Sequence, residues 1–155
     1  MRQVIESPLG AIGITVSDIG ISAIIFDAAI DPSDATSPLL EKAITQLQEY
    51  FAAKRTAFDL PLDPQGTDFQ KRVWKELLNI PFGETVSYLE IAKRLGDAKA
   101  IRAVGLANGK NPISIVVPCH RVIGSSGKLV GYGGGLWRKE WLLHHEETTA
   151  GTMLF

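Results

Sequence analysis

Cys119, the only cysteine of the 155-residue chain, is followed directly by His120. A cysteine attacks as the thiolate, and its ordinary pKa of about 8.5 leaves most of the thiol protonated at neutral pH. A neighbouring imidazole can take the proton, so this pair is the minimum for an activated sulfur nucleophile. The apolar run Ile115-Val116-Val117 predicts a buried strand that presents the thiol at its end. A lone cysteine can equally be a small buried apolar residue, and the pair by itself leaves both interpretations open.

The composition is that of a globular protein, with 45% hydrophobic and 21% charged residues. One cysteine cannot form an internal disulfide, which favours a reducing compartment. No apolar run is long enough to span a membrane, and the first residues lack the apolar core of a signal peptide. We therefore expect a cytoplasmic or nuclear protein with no membrane contact.

Charge is distributed unevenly along the chain. Residues 1–66 hold 4 Lys and Arg against 9 Asp and Glu, whereas residues 67–155 hold 12 against 8. A basic C-terminal half favours a polyanion as its partner, although uneven surface charge without any partner gives the same counts.

The first half of the chain predicts a small α/β unit without catalytic side chains. Three apolar segments separated by tight turns predict an antiparallel sheet: Val4-Ile5-Glu6, Ile12–Val16 and Ile21–Phe26. Ser37-Pro38 supplies an N-cap and a first-turn proline for a helix that runs to about Ala53. Residues 57–60 predict a short final strand.

Prolines and a glycine at 61–66 mark a boundary, so we expect domains at 1–62 and 63–155. Three helices then follow from capping boxes and turns, at Thr67 to Leu78, Ser87 to Leu95 and Ala98 to Asn108. The last two, joined by a glycine-containing turn, have the form of a helix-turn-helix, which is often a mere packing unit. A turn at Ser125–Lys128 predicts a small wing, and Trp137 and Trp141 lie on a final helix. We expect the tail from Thr148 to be loosely ordered.

The helix from Ala98 to Asn108 is unusually poor in long side chains. Glycine inside a helix costs about 0.5–1 kcal/mol against alanine, so Gly105 needs compensation. Ala103, Gly105 and Ala107 predict a face that allows very close approach of the backbone to a partner. That partner is either another helix or a DNA minor groove, which is only about 6 Å wide. Arg102 is the one long cation within residues 100–109 and could enter a base stack.

Pro118-Cys119-His120-Arg121-Val122, preceded by Arg102-Ala103-Val104-Gly105 and Asn111-Pro112, resembles the O6-alkylguanine-DNA alkyltransferases. The bacterial, Ogt-like branch is the most similar. The resemblance also covers residues 81–88, the glycine-rich segment around Tyr132 and residues 139–143 with Glu146, and thus most of residues 67–147. It implies an α+β fold with a ribonuclease H-like cap of three antiparallel strands and a helix. A winged helix-turn-helix-like alkyltransferase domain would follow.

The resemblance implies direct repair of DNA by irreversible transfer of the alkyl group to the protein's own cysteine. The catalytic residues would be Cys119 as the alkyl acceptor, His120 as a base acting through a water, and Glu146 as the carboxylate that orients the imidazole. Tyr88 would donate a hydrogen bond or a proton to guanine N3, and Asn111 would hold the cysteine loop. The Val122 carbonyl, the Tyr132 hydroxyl and the Gly133 amide would bind the base. Many relatives have serine where this chain has Gly133, so only an amide contact is kept there.

The implied substrate is O6-methylguanine in double-stranded DNA and, less efficiently, O4-methylthymine, with the nucleotide rotated out of the stack from the minor groove. The DNA-binding residues would be Arg102, Ala103, Gly105, Ala107 and Asn108. Lys93, Lys99 and Lys110 would contact phosphates. No cofactor is implied. Some relatives bind zinc in the first domain, but here the cysteine and all histidines lie at 119 and beyond, so we expect no metal. We expect a cytoplasmic monomer, with cooperative binding to DNA as an open alternative.

Three alternatives remain. A cysteine hydrolase would turn over many substrates, whereas a thioether forms once per chain. A non-catalytic lesion binder of the alkyltransferase-like type carries tryptophan at the cysteine position, where this chain has Cys119. A winged helix-turn-helix regulator would use longer side chains to contact the major groove.

Overall fold

The computed structural model describes residues 1–127, 129 and 131–153, with the side chains of 152 and 153 left undescribed. The chain divides into two compact units. The first contains Met1–Gln65 and Pro112–Val116, and the second contains Gly66–Asn111 and Val117–Phe155.

The first unit is built on the predicted antiparallel sheet, with β1 (Arg2–Ile5), β2 (Ile12–Val16) and β3 (Ile21–Phe26) in that order. A bulge between Thr15 and Val16 shifts the register against β3. Because of this bulge, Ile21 and Ile24 are both fully buried although they are three residues apart. The segment at 112–116 adds to this sheet: the Ile24 amide donates to Pro112 and the Ser114 amide donates to Ile24.

Helix α1 (Pro38–Phe51) covers the sheet and begins as predicted, with the Ser37 hydroxyl accepting from the Leu40 amide. Its buried side includes Leu40, Leu47 and Tyr50. The strand predicted at 57–60 is wrong. The backbone of Asp59 instead pairs with one side chain of α1, since Gln46 accepts from its amide at 2.9 Å and donates to its carbonyl at 3.2 Å.

The second unit begins with α2 (Asp68–Leu77), where the capping box of Thr67 and Gln70 is complete. The short strand β4 (Val86–Ser87) leads into α3 (Tyr88–Arg94), and a 3-10 turn (Ala98–Ala100) leads into α4 (Ile101–Gly109). A second 3-10 turn (Cys119–Arg121) precedes β5 (Val122–Ile123), which pairs in parallel with β4. Helix α5 (Leu136–Met153) closes the unit.

Two further expectations need correction. Ile115, Val116 and Val117 are buried as predicted, but they form turns rather than a strand. The Val116 amide donates to the Ser114 carbonyl, two residues back, which puts Ile115 at a φ of +72°, a strained value for a β-branched residue. The segment from Thr148 is helical as far as Met153, where no helix was predicted. Within the predicted wing, Ser125–Gly127 form turn structure and Leu129 lies in no strand, while Lys128 falls outside the described residues.

Candidate active site and DNA-facing surface

Cys119 lies at the start of a 3-10 turn that Pro118 imposes. The Cys119 amide donates to the Val117 carbonyl across Pro118, and the Asn111 side chain donates to the same carbonyl at 2.8 Å. The Asn108 side chain donates to the carbonyl of Cys119 at 3.3 Å. Two side-chain amides from the end of α4 and the turn after it therefore fix the backbone on both sides of the thiol.

Cys119 is 5% exposed, and this burial raises the pKa of its thiol. Hydrogen bonds from Asn111 and Tyr132 and the positive charge of Lys139 oppose the shift without cancelling it. The sulfur is therefore a protonated thiol at neutral pH, and it becomes a nucleophile only when another group takes its proton.

The His120 side chain is fully buried, and its Nε2 lies 2.7 Å from Oε2 of Glu146. Burial lowers the pKa of His120, and the neighbouring cations lower it further against the opposing effect of Glu146. The imidazole is therefore neutral with its proton on Nε2, where it donates to the carboxylate. This leaves Nδ1 as an acceptor, and Nδ1 has no hydrogen-bond partner among the residues that the structure describes.

Arg121 completes this arrangement, and the sequence reasoning assigned it no role. Its Nε and Nη2 donate to the two oxygens of Glu146 at 2.7 and 3.0 Å, and its Nη1 donates to the Ile80 carbonyl at 2.7 Å. Burial alone would raise the pKa of Glu146, but the hydrogen bonds and charges of His120 and Arg121 outweigh it and hold that pKa well below its usual range. The position of Arg121 directly after His120 was the one feature of the sequence that could have indicated its role at the site.

Lys139 is a second buried cation that the sequence reasoning did not select. Its Nζ donates to the Val122 carbonyl at 2.7 Å and lies 5.9 Å from the ring centre of Tyr88. Burial lowers the pKa of Lys139, while a negative charge on Cys119 would raise it. Nothing in the local sequence distinguishes this lysine from an exposed one, because its burial comes from the packing of α5.

Tyr88, Tyr132 and Gly133 lie in the same unit as the thiol. Burial raises the pKa of Tyr88, as does the charge of Cys119, and a hydrogen bond with Asn108 opposes both. Tyr132 is half-buried, whereas Gly133 is exposed. A Cβ added at Gly133 would contact only the Gly109 carbonyl, at 3.9 Å, so the backbone here accepts a small side chain.

Helix α4 presents only part of the predicted set to solvent. Arg102 and Ala103 are exposed, and Gly105 is partly exposed. Ala107 and Asn108 are buried, and the Ala107 carbonyl accepts from the Trp74 indole at 2.8 Å, while their role as DNA contacts stays a prediction. Ala103 and Ala107 are four residues apart on one side of the helix, and the packing of Trp74 against Ala107 is what makes their burial differ.

The surface beside Arg102 includes an open depression of about 350 Å³, lined by Tyr88, Ile101, Arg102, Gly105, Leu106 and Gly131. A Cβ added at Gly105 would contact only Tyr88, at an ordinary 3.9 Å. Packing within the described chain therefore does not explain this helical glycine. The described residues contain no group of three or more potential metal ligands. None of the described helices is long and apolar enough to cross a membrane.

Two family models match the chain. The model for the DNA binding domain of 6-O-methylguanine DNA methyltransferase covers residues 68–148, and the model for its ribonuclease-like domain covers residues 1–64.

Similar proteins carry a consistent name. The methylated-DNA–protein-cysteine methyltransferase of Mycobacterium tuberculosis is 64% identical over 108 residues, which are 70% of this chain and 66%, just under two thirds, of that protein. The protein of the same name from Methanosarcina barkeri is 50% identical over 151 residues, 94% of this chain and 96% of its own. The crystal structure of Mycobacterium tuberculosis OGT in complex with DNA matches with a TM-score of 0.87 and 49% identity, covering 96% of this chain and 93% of that one.

Proposed function

This chain belongs to the 6-O-methylguanine DNA methyltransferase family, and we propose that it repairs DNA by transferring an alkyl group from O6 of guanine to Cys119. The observation that carries the proposal is the buried arrangement of the Cys119 thiol, the His120 imidazole and the Glu146 carboxylate. Cys119 is adjacent to an imidazole whose Nε2 lies 2.7 Å from the Glu146 carboxylate, which leaves Nδ1 as a proton acceptor.

The first step is removal of the thiol proton. His120 takes it at Nδ1 through a bridging water, and Glu146 stabilises the imidazolium that forms. Arg121 keeps Glu146 ionised, and its charge helps to keep His120 neutral before the reaction. The positive charge of Lys139 favours the thiolate once it forms.

The second step is the transfer itself. A bond forms between Sγ and the alkyl carbon while the bond between that carbon and O6 breaks, and the electron pair stays on guanine. Tyr88 donates a hydrogen bond or a proton at guanine N3, where negative charge develops as the bond to O6 breaks. The Tyr132 hydroxyl and the Gly133 amide lie near O6. The thioether is not hydrolysed, so each chain reacts once.

Guanine is selected by carbonyl groups that accept from its exocyclic amine, at Cys119 and Val122. The Val122 carbonyl already accepts from Lys139 at 2.7 Å, and its second lone pair remains for the base. Asn111 holds this backbone through Val117. O4-methylthymine lacks that amine and is repaired less efficiently.

The lesion is reached from the minor groove by rotation of the nucleotide out of the stack. Arg102, with Ala103 and Gly105 beside it, fills the vacated space. The exposed Lys93, Lys99 and Lys110 contact phosphates, and these contacts weaken with salt.

Duplex DNA with a labelled O6-methyl group tests the proposal. We expect up to one label per chain, on Cys119, and none on a Cys119→Ser variant that still binds the duplex. Release of many labels per chain would indicate a cysteine hydrolase. Binding without any uptake would indicate a non-catalytic lesion binder.

A further inference from the structure

The exposed face of α4 carries two large apolar side chains. Leu106 is 67% exposed and Ile101 is 41% exposed, on a helix whose other exposed positions hold mainly small or basic residues. Leu106 follows Arg102 by four residues, so the two side chains are neighbours on the helix surface. Both line the depression that also contains Tyr88.

Packing within the second unit does not account for Leu106. Helix α4 buries Val104, Ala107 and Asn108, and its contact with α2 includes the hydrogen bond from Trp74. Single exposed leucines are common on proteins. Here, however, two apolar side chains lie beside a helical glycine that has free space around it, on the face that carries Arg102.

Exposed cations on α4, directly beside it in the chain and on α3 favour duplex DNA as the occupant of this face. These exposed cations are Lys93, Lys99, Arg102 and Lys110. In the proposed function, the face of α4 that carries Arg102 is also the one that contacts the minor groove. A leucine side chain makes no favourable contact with phosphate oxygens. It packs favourably on deoxyribose and on the edges of unstacked bases. Minor-groove proteins often insert such apolar side chains as wedges at distorted base steps.

We propose that Leu106 is an apolar wedge beside Arg102 that packs on the minor-groove side of the base step next to the displaced nucleotide. Arg102 supplies charge and length, and Leu106 supplies a surface that keeps the flanking base unstacked, with Ile101 as the outer edge of the same surface. The inference rests on the proposed function, because it assumes that a nucleotide leaves the stack.

The test uses a Cys119→Ser background, so that the lesion is not consumed, and a duplex with 2-aminopurine next to O6-methylguanine. We expect Leu106→Ala to weaken binding five- to tenfold with an unchanged salt dependence, because no charge is lost. Lys110→Ala, which removes a proposed phosphate contact, should instead reduce the slope of log K against log salt by about one. At saturating protein, Leu106→Ala should lose at least half of the 2-aminopurine fluorescence increase, and Leu106→Met should restore it.

Leu78→Ala is the matched control, since Leu78 is 47% exposed in the same unit but lies at the end of α2. It should bind as the parent does. The proposal fails if Leu106→Ala gives the parent's affinity and fluorescence. It also fails if Leu106→Ala changes the sedimentation of the protein without DNA, since the face would then join two copies of the chain. Label uptake by the unchanged protein is measured separately, so a failure of the proposed function is distinguishable.

Discussion

Replacing Gly105 with alanine should stabilise the protein and weaken its binding to DNA. A glycine-to-alanine change inside a helix contributes about 0.5–1 kcal/mol to the free energy of unfolding when the new methyl group has room. It has room here, because the Cβ would contact only Tyr88 at 3.9 Å. For a chain of 155 residues this corresponds to a rise in melting temperature of about 1–4 °C.

The same methyl group should reduce affinity for duplex DNA if the backbone of α4 approaches the minor groove. Overpacking of a close contact costs about 1–3 kcal/mol, which corresponds to a loss of roughly 5- to 150-fold at about 1.4 kcal/mol per factor of ten. Fluorescence anisotropy with a labelled duplex and a Cys119→Ser background measures this loss, and thermal unfolding measures the stability.

Gly151→Ala is the control, because Gly151 is also helical and an added Cβ meets nothing within 4 Å. It should leave DNA affinity unchanged. Gly105→Ala that binds DNA as tightly as the parent would refute the close approach of α4 to DNA. A lower melting temperature for Gly105→Ala would show that the glycine serves internal packing instead.

Three further outcomes are expected. Glu146→Gln should lower the free energy of unfolding at pH 7 by about 3–5 kcal/mol, because it leaves a buried guanidinium without its partner. The stabilisation by Glu146 is fully present above its unfolded pKa of about 4.5 and is lost progressively as the pH falls below that value. The free energy of unfolding should therefore depend less on pH in the acid range in the variant than in the parent, and an equal pH dependence would contradict the ion pair. Alkylation of Cys119 by iodoacetamide, followed by mass spectrometry, should accelerate about tenfold per pH unit from pH 7 to 8.5, because burial raises the pKa of the thiol; a rate independent of pH would mean that the thiolate already exists. Gln46→Ala should cost about 1–3 kcal/mol in chemical denaturation, because the backbone of Asp59 loses both partners; no loss would mean that water replaces them.

Local signals predicted the elements that depend on neighbouring residues in the chain. The Ser37 cap, the Thr67–Gln70 capping box and the alternating apolar residues of β2 each specify their structure within a few positions. The same holds for the thiol and imidazole, which are adjacent in sequence.

Features that depend on distant packing were not predictable in this way. Residues 57–60 have the composition of a strand, yet Gln46, from a helix, supplies their backbone partner. Lys139 resembles an exposed helical lysine until α5 is packed against the Val122 carbonyl. The burial of Ala107 likewise depends on distant packing, because the indole of Trp74, on α2, donates to its carbonyl.

The chain returns to the first unit at residues 112–116, which limits how the protein can be truncated. Residues 112–116 complete the sheet of that unit, and Ile113, Ile115 and Val116 are buried there. A truncated product beginning at Gly66 would keep these three side chains but discard the strands that shelter them. Such a fragment would expose an apolar patch only a few residues from Cys119, and residues 1–65 supplied as a separate polypeptide would cover it.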